Sequence, residues 1–483
     1  MTLKPTYLSS VINGKPCETD ITFNTENPAT EEVICELSSA DESLVDLAVK
    51  SAKEAFENTW GKFSLGRRQK ILENLADLIS ENKQELVELE SIENGVPVTV
   101  VDKFSVAALQ KNISYCASWI DKLSGQVIPI TSSNGFDFSL CEPFGVVAAV
   151  IAYNTPSLFL GSKVGAALAT GNTVVIKPSP LASFPALKFV ELAQIAGIPE
   201  GTVNVVLGDQ NVSKALVGHK LVDLISFTGS KQAGKQVRAL GNENLTPTIL
   251  ELGGKSPNIV FEDANLSKVP FSSALGAFAL TGQACVAGSR IYVQEGIFEE
   301  VLDKLTSMTK LLKVGNPSDK QTVLGPLISK DHLNRVKTLV DVAISEGGIV
   351  ALGGDSPTDI LPKGYYFNPT VVTNMTEESY LVKEEIFGPV VVVQRFKDED
   401  EVIKKANDTA YGLGAAVWTQ DISRAFRVSK SLRSGTVWIN SYGIVPHTAP
   451  FGGYKQSGHG REGGKYGLEM YQQTKNVYID LAQ

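Results

Sequence analysis

The chain has 483 residues, of which 43% are hydrophobic and 20% are charged, and its formal net charge is −9. This length exceeds what one hydrophobic core supports, so we expect two or three domains. The negative charge argues against a nucleic-acid partner, because phosphate binding needs clustered lysine and arginine. The most apolar run, 145–153, is far shorter than a membrane span, so we expect no membrane partner.

The five cysteines, Cys17, Cys35, Cys116, Cys141 and Cys285, are scattered and form no C-x-x-C pair. This pattern predicts reduced thiols rather than disulfides or a zinc site. The sequence also begins without the apolar core of a signal peptide. We therefore expect a cytoplasmic protein.

The four histidines are His219, His332, His447 and His459. They lack the spacing of metal ligands, so no metal site is predicted. His219 and His332 are predicted to be solvated residues on helices. No motif positions a histidine as the base of a cysteine hydrolase.

The region before residue 122 is predicted to be mainly helical after irregular or short-strand structure at 1–40. Helices are expected at 41–58, 65–94 and 99–122. Asp41 suits the N-cap of the first helix, and Gly95 suits the end of the second. The segment 124–141 is typical of two strands joined at 132–135. Such a hairpin must pack on its own domain or on a neighbouring subunit.

From residue 142 onward, strands and helices alternate. Strands are expected at 146–151, 173–176, 203–206 and 224–227, each followed by a helical segment. This pattern predicts parallel βαβ units and a Rossmann-like domain up to about Glu251. A second α/β region is expected at 255–441. The last segment, 472–481, is predicted to be an edge strand, which could pair with another chain.

Cys285 lies among small and flexible residues in the segment 281–290, which includes Gly282 and Gly288. These neighbours leave room for another molecule to approach the sulfur. A lone cysteine is more often a small buried hydrophobic residue, and it becomes a candidate nucleophile only with partners elsewhere.

Candidate partners follow predicted strands. Asn154, Lys177 and Glu251 lie at or just after the carboxyl ends of strands, where open α/β sheets bind ligands. An asparagine amide can donate to an oxyanion, and a carboxylate beside the flexible pair 253–254 can approach a reacting centre. Each residue also has an ordinary interpretation: a turn asparagine, a solvated lysine, or a surface glutamate paired with Lys255.

A strand–helix turn at 227–230 carries Gly229, with Gly234 further on. Glycines there would let a pyrophosphate approach the backbone and the helix N-terminus. The spacing departs from G-x-G-x-x-G, so plain turn residues explain the pattern equally well.

In order and spacing, these motifs resemble the aldehyde dehydrogenase superfamily over essentially the whole chain. The matching motifs are EPFG at 142–145, Asn154, KPS at 177–179, FTGS at 227–230, ELGGK at 251–255, GQACVAG at 282–288, EIFGP at 385–389 and PFGG at 450–453. The sequence separation between Glu251 and Cys285 also suits the family. The resemblance changes the interpretation of Cys285 to that of a nucleophile.

The resemblance implies a mechanism. As a thiolate, Cys285 would attack the aldehyde carbon, while the Asn154 side chain and the Cys285 backbone N–H would hold the oxyanion. Glu251 would activate the water that hydrolyses the thioester. The implied cofactor is NAD or NADP, bound by Lys177, Ser179, Pro180, Gly229, Ser230, Gly234, Leu252, Glu385 and Phe387. Supporting positions are matched by Lys163, Glu462 and Asn440.

The resemblance also implies a fold: a Rossmann-like cofactor domain, a second α/β catalytic domain and a small β oligomerisation element. The implied limits are 1–122 and 145–253 for the cofactor domain, 254–455 for the catalytic domain, and 123–144 and 456–483 for the oligomerisation element. A homodimer or homotetramer is therefore expected, with strands continuing between subunits.

One position departs from the family pattern. Many NAD-specific members carry an acidic residue three positions after the lysine that Lys177 matches, and this chain has Pro180 there. Nothing at this position repels a 2′-phosphate, while Lys177 and Ser179 could attract one. We expect NAD to be used and NADP to be tolerated or even preferred.

The substrate tunnel is predicted to be open and mostly apolar. Its implied lining is Thr155, Ser162, Ala279, Val286, Ile444, Val445 and His447. This set includes no large aromatic residue and no arginine to clamp a second carboxylate. The lining favours uncharged medium-chain or aromatic aldehydes over succinic semialdehyde.

Two alternative functions remain. A CoA-acylating aldehyde dehydrogenase would transfer the thioester to CoA, although the retained Glu251 favours hydrolysis. A non-catalytic family member with a binding or structural role would have no reason to keep Cys285, Glu251 and Asn154 together.

Overall fold

The computed structural model describes residues 7–131 and 134–481. Its strands are β1 Tyr7–Leu8, β2 Ser10–Ile12, β3 Lys15–Cys17, β4 Thr22–Asn27, β5 Glu32–Ser38, β6 Val127–Ile128, β7 Gly135–Pro143, β8 Val146–Ile151, β9 Thr173–Pro178, β10 Val203–Val205, β11 Leu224–Thr228, β12 Thr248–Glu251, β13 Pro257–Val260, β14 Arg290–Gln294, β15 Ile349–Leu352, β16 Thr370–Thr373, β17 Val390–Phe396, β18 Gly414–Trp418, β19 Thr436–Ile439, β20 Gly458–His459 and β21 Gln472–Asp480.

The α-helices of the described ranges alternate with these strands. They are α1 Glu42–Asn58, α2 Leu65–Glu81, α3 Lys83–Asn94, α4 Val98–Val100, α5 Ala107–Trp119, α6 Pro156–Phe159, α7 Gly165–Ala169, α8 Phe184–Ile195, α9 Gln210–Val217, α10 Lys231–Glu243, α11 Val269–Phe278, α12 Phe298–Lys310, α13 Lys330–Ser345, α14 Tyr380–Lys383, α15 Glu399–Asn407, α16 Ile422–Ser431 and α17 Gly464–Glu469. Two π-helical segments, Val101–Val106 and Leu160–Val164, connect α4 to α5 and α6 to α7.

The first large sheet has the strand order β20-β12-β11-β8-β9-β10-β2-β3. The five strands β8 to β12 pair with one another in parallel. From β8 the chain first adds β9 and β10 on one side, and then β11 and β12 on the other. Ligands of open α/β sheets bind beyond the carboxyl ends of the strands at such a reversal. Asn154 follows β8 at this point.

Every residue of β8 and β9 is buried. Parallel sheets covered by helices on both faces need such continuous apolar strands. The predicted βαβ region is therefore confirmed, and its core lies on both faces of the first sheet.

The second large sheet has the order β15-β16-β17-β14-β13-β18-β19. Only β15, at one edge, pairs antiparallel within it. The α/β fold class is as predicted, whereas the limits of the domains stay a prediction. Strand β20, within the segment 456–483, pairs antiparallel with β12 of the first sheet.

The predicted hairpin and C-terminal strand form a three-stranded sheet in the order β21-β7-β6. Strand β21 pairs antiparallel with β7 along its whole length. The predicted turn contains Ser132 and Ser133, which lie outside the described residues. Apolar side chains stay exposed on this sheet, including Val127, Phe136 and Ile479. Exposed apolar surface of this kind is typical of an interaction site.

The helix predicted at 65–94 is two helices, α2 and α3, separated at Asn82. The Asn82 side chain donates to Leu78 O at 2.8 Å. Such local bonding by asparagine competes with the helix and interrupts it. The helix predicted at 99–122 begins slightly earlier, and its π-helical segment was not predicted.

Both predicted helix ends are confirmed. Asp41 accepts a hydrogen bond from Leu44 N at 2.9 Å, and Gly95 ends α3 with a left-handed φ of 74°. In the part of the chain that is described, no helix combines the length and the apolar character needed to cross a membrane.

Candidate functional site

A cavity of about 310 Å³ brings together segments that are distant in sequence. Asn154 reaches it from the end of β8, Cys285 from the connection between α11 and β14, and Glu462 from the segment before α17. One wall is formed by the π-helical segment Val101–Val106 and the start of α5. A cavity of this volume suits a small-molecule ligand.

The backbone that leads into Cys285 is strained. Leu280 and Thr281 have left-handed φ angles of 56° and 58°, a region that side chains other than glycine seldom adopt. Gly282 has a φ of 70°, and a Cβ there would lie 2.1 Å from Gly388 O. Strain of this kind persists where surrounding structure enforces it, often at functional sites. The close approach of Gly388 O explains why position 282, three residues before Cys285, is a glycine.

The Asn154 side chain is fixed beside Cys285. Its Nδ2 donates to Gln283 O at 2.9 Å. Gln283 is itself held, because its Oε1 accepts from Ile328 N at 3.0 Å. An amide nitrogen carries two N–H donors, and the second one has no partner among the described residues, so it can donate to an oxygen that enters the cavity.

Glu251, the last residue of β12, has an unusual environment. It is 4% exposed, and neither carboxylate oxygen accepts a hydrogen bond from a described residue. Burial raises its pKa well above the usual value, the charge of Glu462 raises it further, and Lys163 and Arg461 act in the opposite direction. A buried carboxylate without partners is costly, which favours a functional explanation. Glu251 does not itself line the cavity.

The thiol of Cys285 is neutral in this environment. Burial raises its pKa to about 12, and the charges of Glu385 and Glu251 add to the effect. The expected thiolate is therefore not the resting form. The proton must therefore be removed before the sulfur can attack.

A buried polar cluster lies behind the cavity. Lys163 is fully buried and forms an ion pair with Glu462, whose other oxygen accepts from Ser162 Oγ at 2.8 Å. Lys163 Nζ also donates to Ser226 Oγ at 3.2 Å, which contacts the Tyr471 hydroxyl at 2.8 Å. Burial of the pair is compensated by these additional hydrogen bonds.

Most of the residues implied for the cofactor follow strands β9, β11 and β12 at the carboxyl edge of the first sheet. Lys177, near the end of β9, is 3% exposed, and its side chain forms no hydrogen bond with any described residue. Burial lowers its pKa to about 8. Ser179 and Pro180 follow it in half-buried positions.

The turn after β11 leads into α10. Ser230 is the N-cap of this helix and accepts from Ala233 N at 3.2 Å. Gly229 lies immediately before it. Gly234, in the first turn, packs on Leu252, since a Cβ there would lie 2.5 Å from Leu252 Cδ2. The unpaired lysine and the helix N-terminus fit a dinucleotide cofactor, because both favour phosphate and ribose groups.

Glu385 and Phe387 occupy a turn that α13 holds. Phe387 has a left-handed φ of 58°, and Glu385 Oε1 accepts from Gly254 N at 3.2 Å. His332 Nε2 lies 2.6 Å from Phe387 O, while Arg335 donates to Glu385 O at 2.8 Å and to the carbonyl of the intervening residue. The prediction of a solvated His332 was wrong, because α13 packs against this turn. No local signal in the sequence indicated the contact.

The cavity lining differs from the predicted tunnel in part. Thr155, Ser162, Val286, Val445 and His447 line it, whereas Ala279 and Ile444 do not. None of the predicted positions is a large aromatic residue, but other residues of the lining are. The residues missed by sequence reasoning are Phe104, Phe159, Phe451, Lys103 and Lys111. Asn440 lies away from the cavity, where its side chain bonds both backbone groups of Thr419.

Comparison with known proteins gives a consistent result. A model described as "Aldehyde dehydrogenase family" matches residues 16–477. The chain is 40% identical to "Putative aldehyde dehydrogenase DhaS" of Bacillus subtilis, with 97% of this chain and 95% of that protein covered. It is also 40% identical to human "Aldehyde dehydrogenase 1A1", with 95% of this chain and 92% of that protein covered.

Solved structures show the same likeness. An aldehyde dehydrogenase from Bacillus cereus in complex with NAD⁺ is 42% identical and has a TM-score of 0.96. The match covers 99% of this chain and 97% of that chain. A betaine aldehyde dehydrogenase from Staphylococcus aureus in complex with NAD⁺ is 38% identical and has a TM-score of 0.97. The match covers 99% of this chain and 96% of that chain.

Proposed function

This chain belongs to the aldehyde dehydrogenase family, and from that premise we propose that Cys285 is the nucleophile with which it oxidises an aldehyde to its carboxylic acid. The cofactor is NAD or NADP. The proposal depends above all on one arrangement. Cys285 and Asn154 share one cavity, and the unpartnered carboxylate of Glu251 lies close enough to influence the thiol.

In the proposed reaction, the thiol of Cys285 loses its proton to solvent water in the cavity, and the resulting thiolate bonds to the carbonyl carbon of the aldehyde while the electron pair of the C=O π bond passes to the oxygen. The free N–H of Asn154 and the backbone N–H of Cys285 stabilise the negative oxygen that forms. When bound, the nicotinamide cofactor supplies the hydride acceptor, so that a thioester is left on the sulfur.

Hydrolysis of the thioester is assigned to Glu251. Its raised pKa makes the carboxylate a stronger base than an exposed glutamate, so it can take a proton from the attacking water. The Lys163–Glu462 ion pair keeps a compensated charge beside it. The acid product then leaves and the free thiol is restored.

The proposed substrate is an uncharged medium-chain or aromatic aldehyde. Phe104, Phe159 and Phe451 in the lining would bury an apolar chain, whereas a carboxylate there would lose its hydration. Lys103 and Lys111 also belong to the lining, but their side chains are exposed to solvent.

For hexanal we expect a kcat/KM at least about tenfold above that for succinic semialdehyde, because only the latter brings a charge to apolar walls. Initial rates of reduced-cofactor formation measure the difference. The methyl ester of succinic semialdehyde, which keeps the chain but removes the charge, is the control and should recover much of the rate. Comparable values for hexanal and succinic semialdehyde would contradict the prediction.

We also propose that NADP is tolerated or preferred. Pro180 supplies no carboxylate to repel a 2′-phosphate, and Lys177 offers an unpaired ammonium. We expect kcat/KM values for NAD and NADP that differ by less than about twentyfold in initial-rate assays. A larger preference for NAD would refute this expectation.

A homodimer or homotetramer is proposed as the assembly. The exposed apolar side chains of the β21-β7-β6 sheet support it, since a second chain would bury them. Sedimentation equilibrium should return two or four chain masses, and a monomer would contradict the proposal. The free cysteines fit a cytoplasmic location.

A further inference from the structure

The acidic residue Asp209 lies near the edge of the first sheet that carries Pro180. At the position of Pro180, many NAD-specific members of the family have a carboxylate. Strands β9 and β10 are parallel neighbours, with Ile176 opposite Val205. Lys177 follows directly after Ile176, and Asp209 follows β10 as the N-cap of α9. The carboxyl ends of neighbouring parallel strands meet at one edge of a sheet. Lys177 and Asp209 therefore both emerge at this edge.

Lys177 is a buried cation at this edge. Within the described residues its buried side chain forms no hydrogen bond and no ion pair. Burial lowers its pKa, and the negative charge of Asp209 acts in the opposite direction. Asp209 is thus close enough for its charge to act on Lys177, although it does not bond to it.

The Asp209 carboxylate is held in place. Its Oδ1 accepts from Asn211 N at 2.8 Å, and its Oδ2 accepts from Asn211 Nδ2 at 3.1 Å. These contacts to the first turn of α9 fix an exposed negative charge at the sheet edge. A group with a larger negative charge would meet repulsion there, whereas a neutral hydroxyl would not.

We propose that Asp209 limits the binding of NADP, because its carboxylate opposes the 2′-phosphate that Lys177 attracts. The proposal rests on the proposed use of NAD or NADP at this edge. NAD carries a 2′-hydroxyl and is unaffected. Asp209 thereby partly replaces, from a neighbouring loop, the carboxylate that is missing at Pro180.

The test uses binding rather than turnover. Asp209→Asn removes the charge, and asparagine is also a favoured N-cap, so α9 is preserved. The dissociation constants of 2′,5′-ADP and ADP would be measured by titration calorimetry on the whole chain. We expect the constant for 2′,5′-ADP to fall about three- to tenfold, as suits an exposed charge pair, and that for ADP to change less than about twofold.

The matched control is Asp398→Asn. Asp398 is the exposed N-cap of α15, which lies apart from the first sheet, and it accepts from Glu401 N at 2.9 Å. The Asp398→Asn variant makes the same change in net charge and in the capping residue. It should alter neither the dissociation constant of 2′,5′-ADP nor that of ADP. If Asp209→Asn were unstable, Asp209→Ser would provide the same comparison with another favoured N-cap.

An unchanged constant for 2′,5′-ADP, or an equal change for both ligands, would overturn the proposal. Failure of the NADP expectation is separable from this result. A wild-type protein that turns over only NAD contradicts that expectation, even if Asp209→Asn gains affinity for 2′,5′-ADP. Conversely, NADP turnover by the wild type without any effect of Asp209→Asn would leave the proposed cofactor use intact and remove the role of Asp209.

Discussion

Replacing Cys285 with alanine is expected to lower kcat by at least about 10³-fold, because no other group in the cavity can form the covalent thioester. The cavity lining offers the hydroxyls of Ser162 and Thr155, but Ser162 is already bonded to Glu462. Binding of the cofactor should be unaffected, since Lys177 and the turn at Ser230 lie elsewhere along the sheet edge.

The loss would be measured as the rate of reduced-cofactor formation with a good aldehyde substrate. Cys17→Ala is a suitable control, because Cys17 lies in β3 outside the cavity lining, and among described residues its sulfur is hydrogen-bonded only to Lys15 O at 3.7 Å. It should retain wild-type kcat. A Cys285→Ala protein that keeps more than a tenth of the activity would remove Cys285 from the mechanism.

Addition of CoA to the same assay distinguishes hydrolysis from acyl transfer. We propose that wild-type turnover needs no CoA, since Glu251 can activate water. A strict requirement for CoA would instead favour the acylating alternative. Loss of activity in Cys285→Ala would be expected under either mechanism, so the two results are independent.

The sequence located the chemical groups of the site better than its walls. Asn154 and Glu251 were candidates because they lie at or just after the carboxyl ends of strands, which converge, and the roles assigned to them come from the resemblance of the surrounding motifs to the family. Phe104 and Lys111 could not, because they lie on a helical segment whose orientation depends on packing against distant elements. The cavity therefore proved more aromatic than predicted, and two solvent-exposed lysines also contribute to its lining.

The contacts of α13 show the same limit. His332 and Arg335 sit on a helix whose sequence has an ordinary amphipathic pattern, so His332 was predicted to be solvated. They bond to the turn at 385–387 only because the tertiary fold brings α13 against it. The interruption at Asn82 is different, since it arises from a local side-chain bond, and its polar residue was visible in the sequence.

Glu251→Gln is expected to separate the two halves of the reaction. Formation of the thioester requires Cys285 and Asn154 but no base at Glu251, whereas hydrolysis requires a base for water. Loss of the Glu251 charge also removes one of the influences that raise the pKa of Cys285. We therefore expect a rapid burst of about one reduced cofactor per active site, followed by a steady-state rate lowered about 10²- to 10⁴-fold.

Stopped-flow measurement of the reduced cofactor would resolve the burst and the slow phase. Glu54→Gln, an exposed position on α1, is a control for the loss of one negative charge and should show wild-type kinetics. Hydroxylamine, a nucleophile that cleaves thioesters without a protein base, should restore turnover in Glu251→Gln. A variant without a burst would mean that Glu251 acts before the thioester forms, and would contradict its assignment to water alone.

The pH dependence provides an independent check of the same assignment. A general base works in its ionised form, and burial together with Glu462 raises the pKa of Glu251 well above that of an ordinary glutamate. Below that pKa the carboxyl is protonated and hydrolysis is slow; above it the carboxylate is present and hydrolysis is fast. The wild-type steady-state rate should therefore rise with pH through this pKa. The rise should be absent from the slow phase of Glu251→Gln, because glutamine does not titrate.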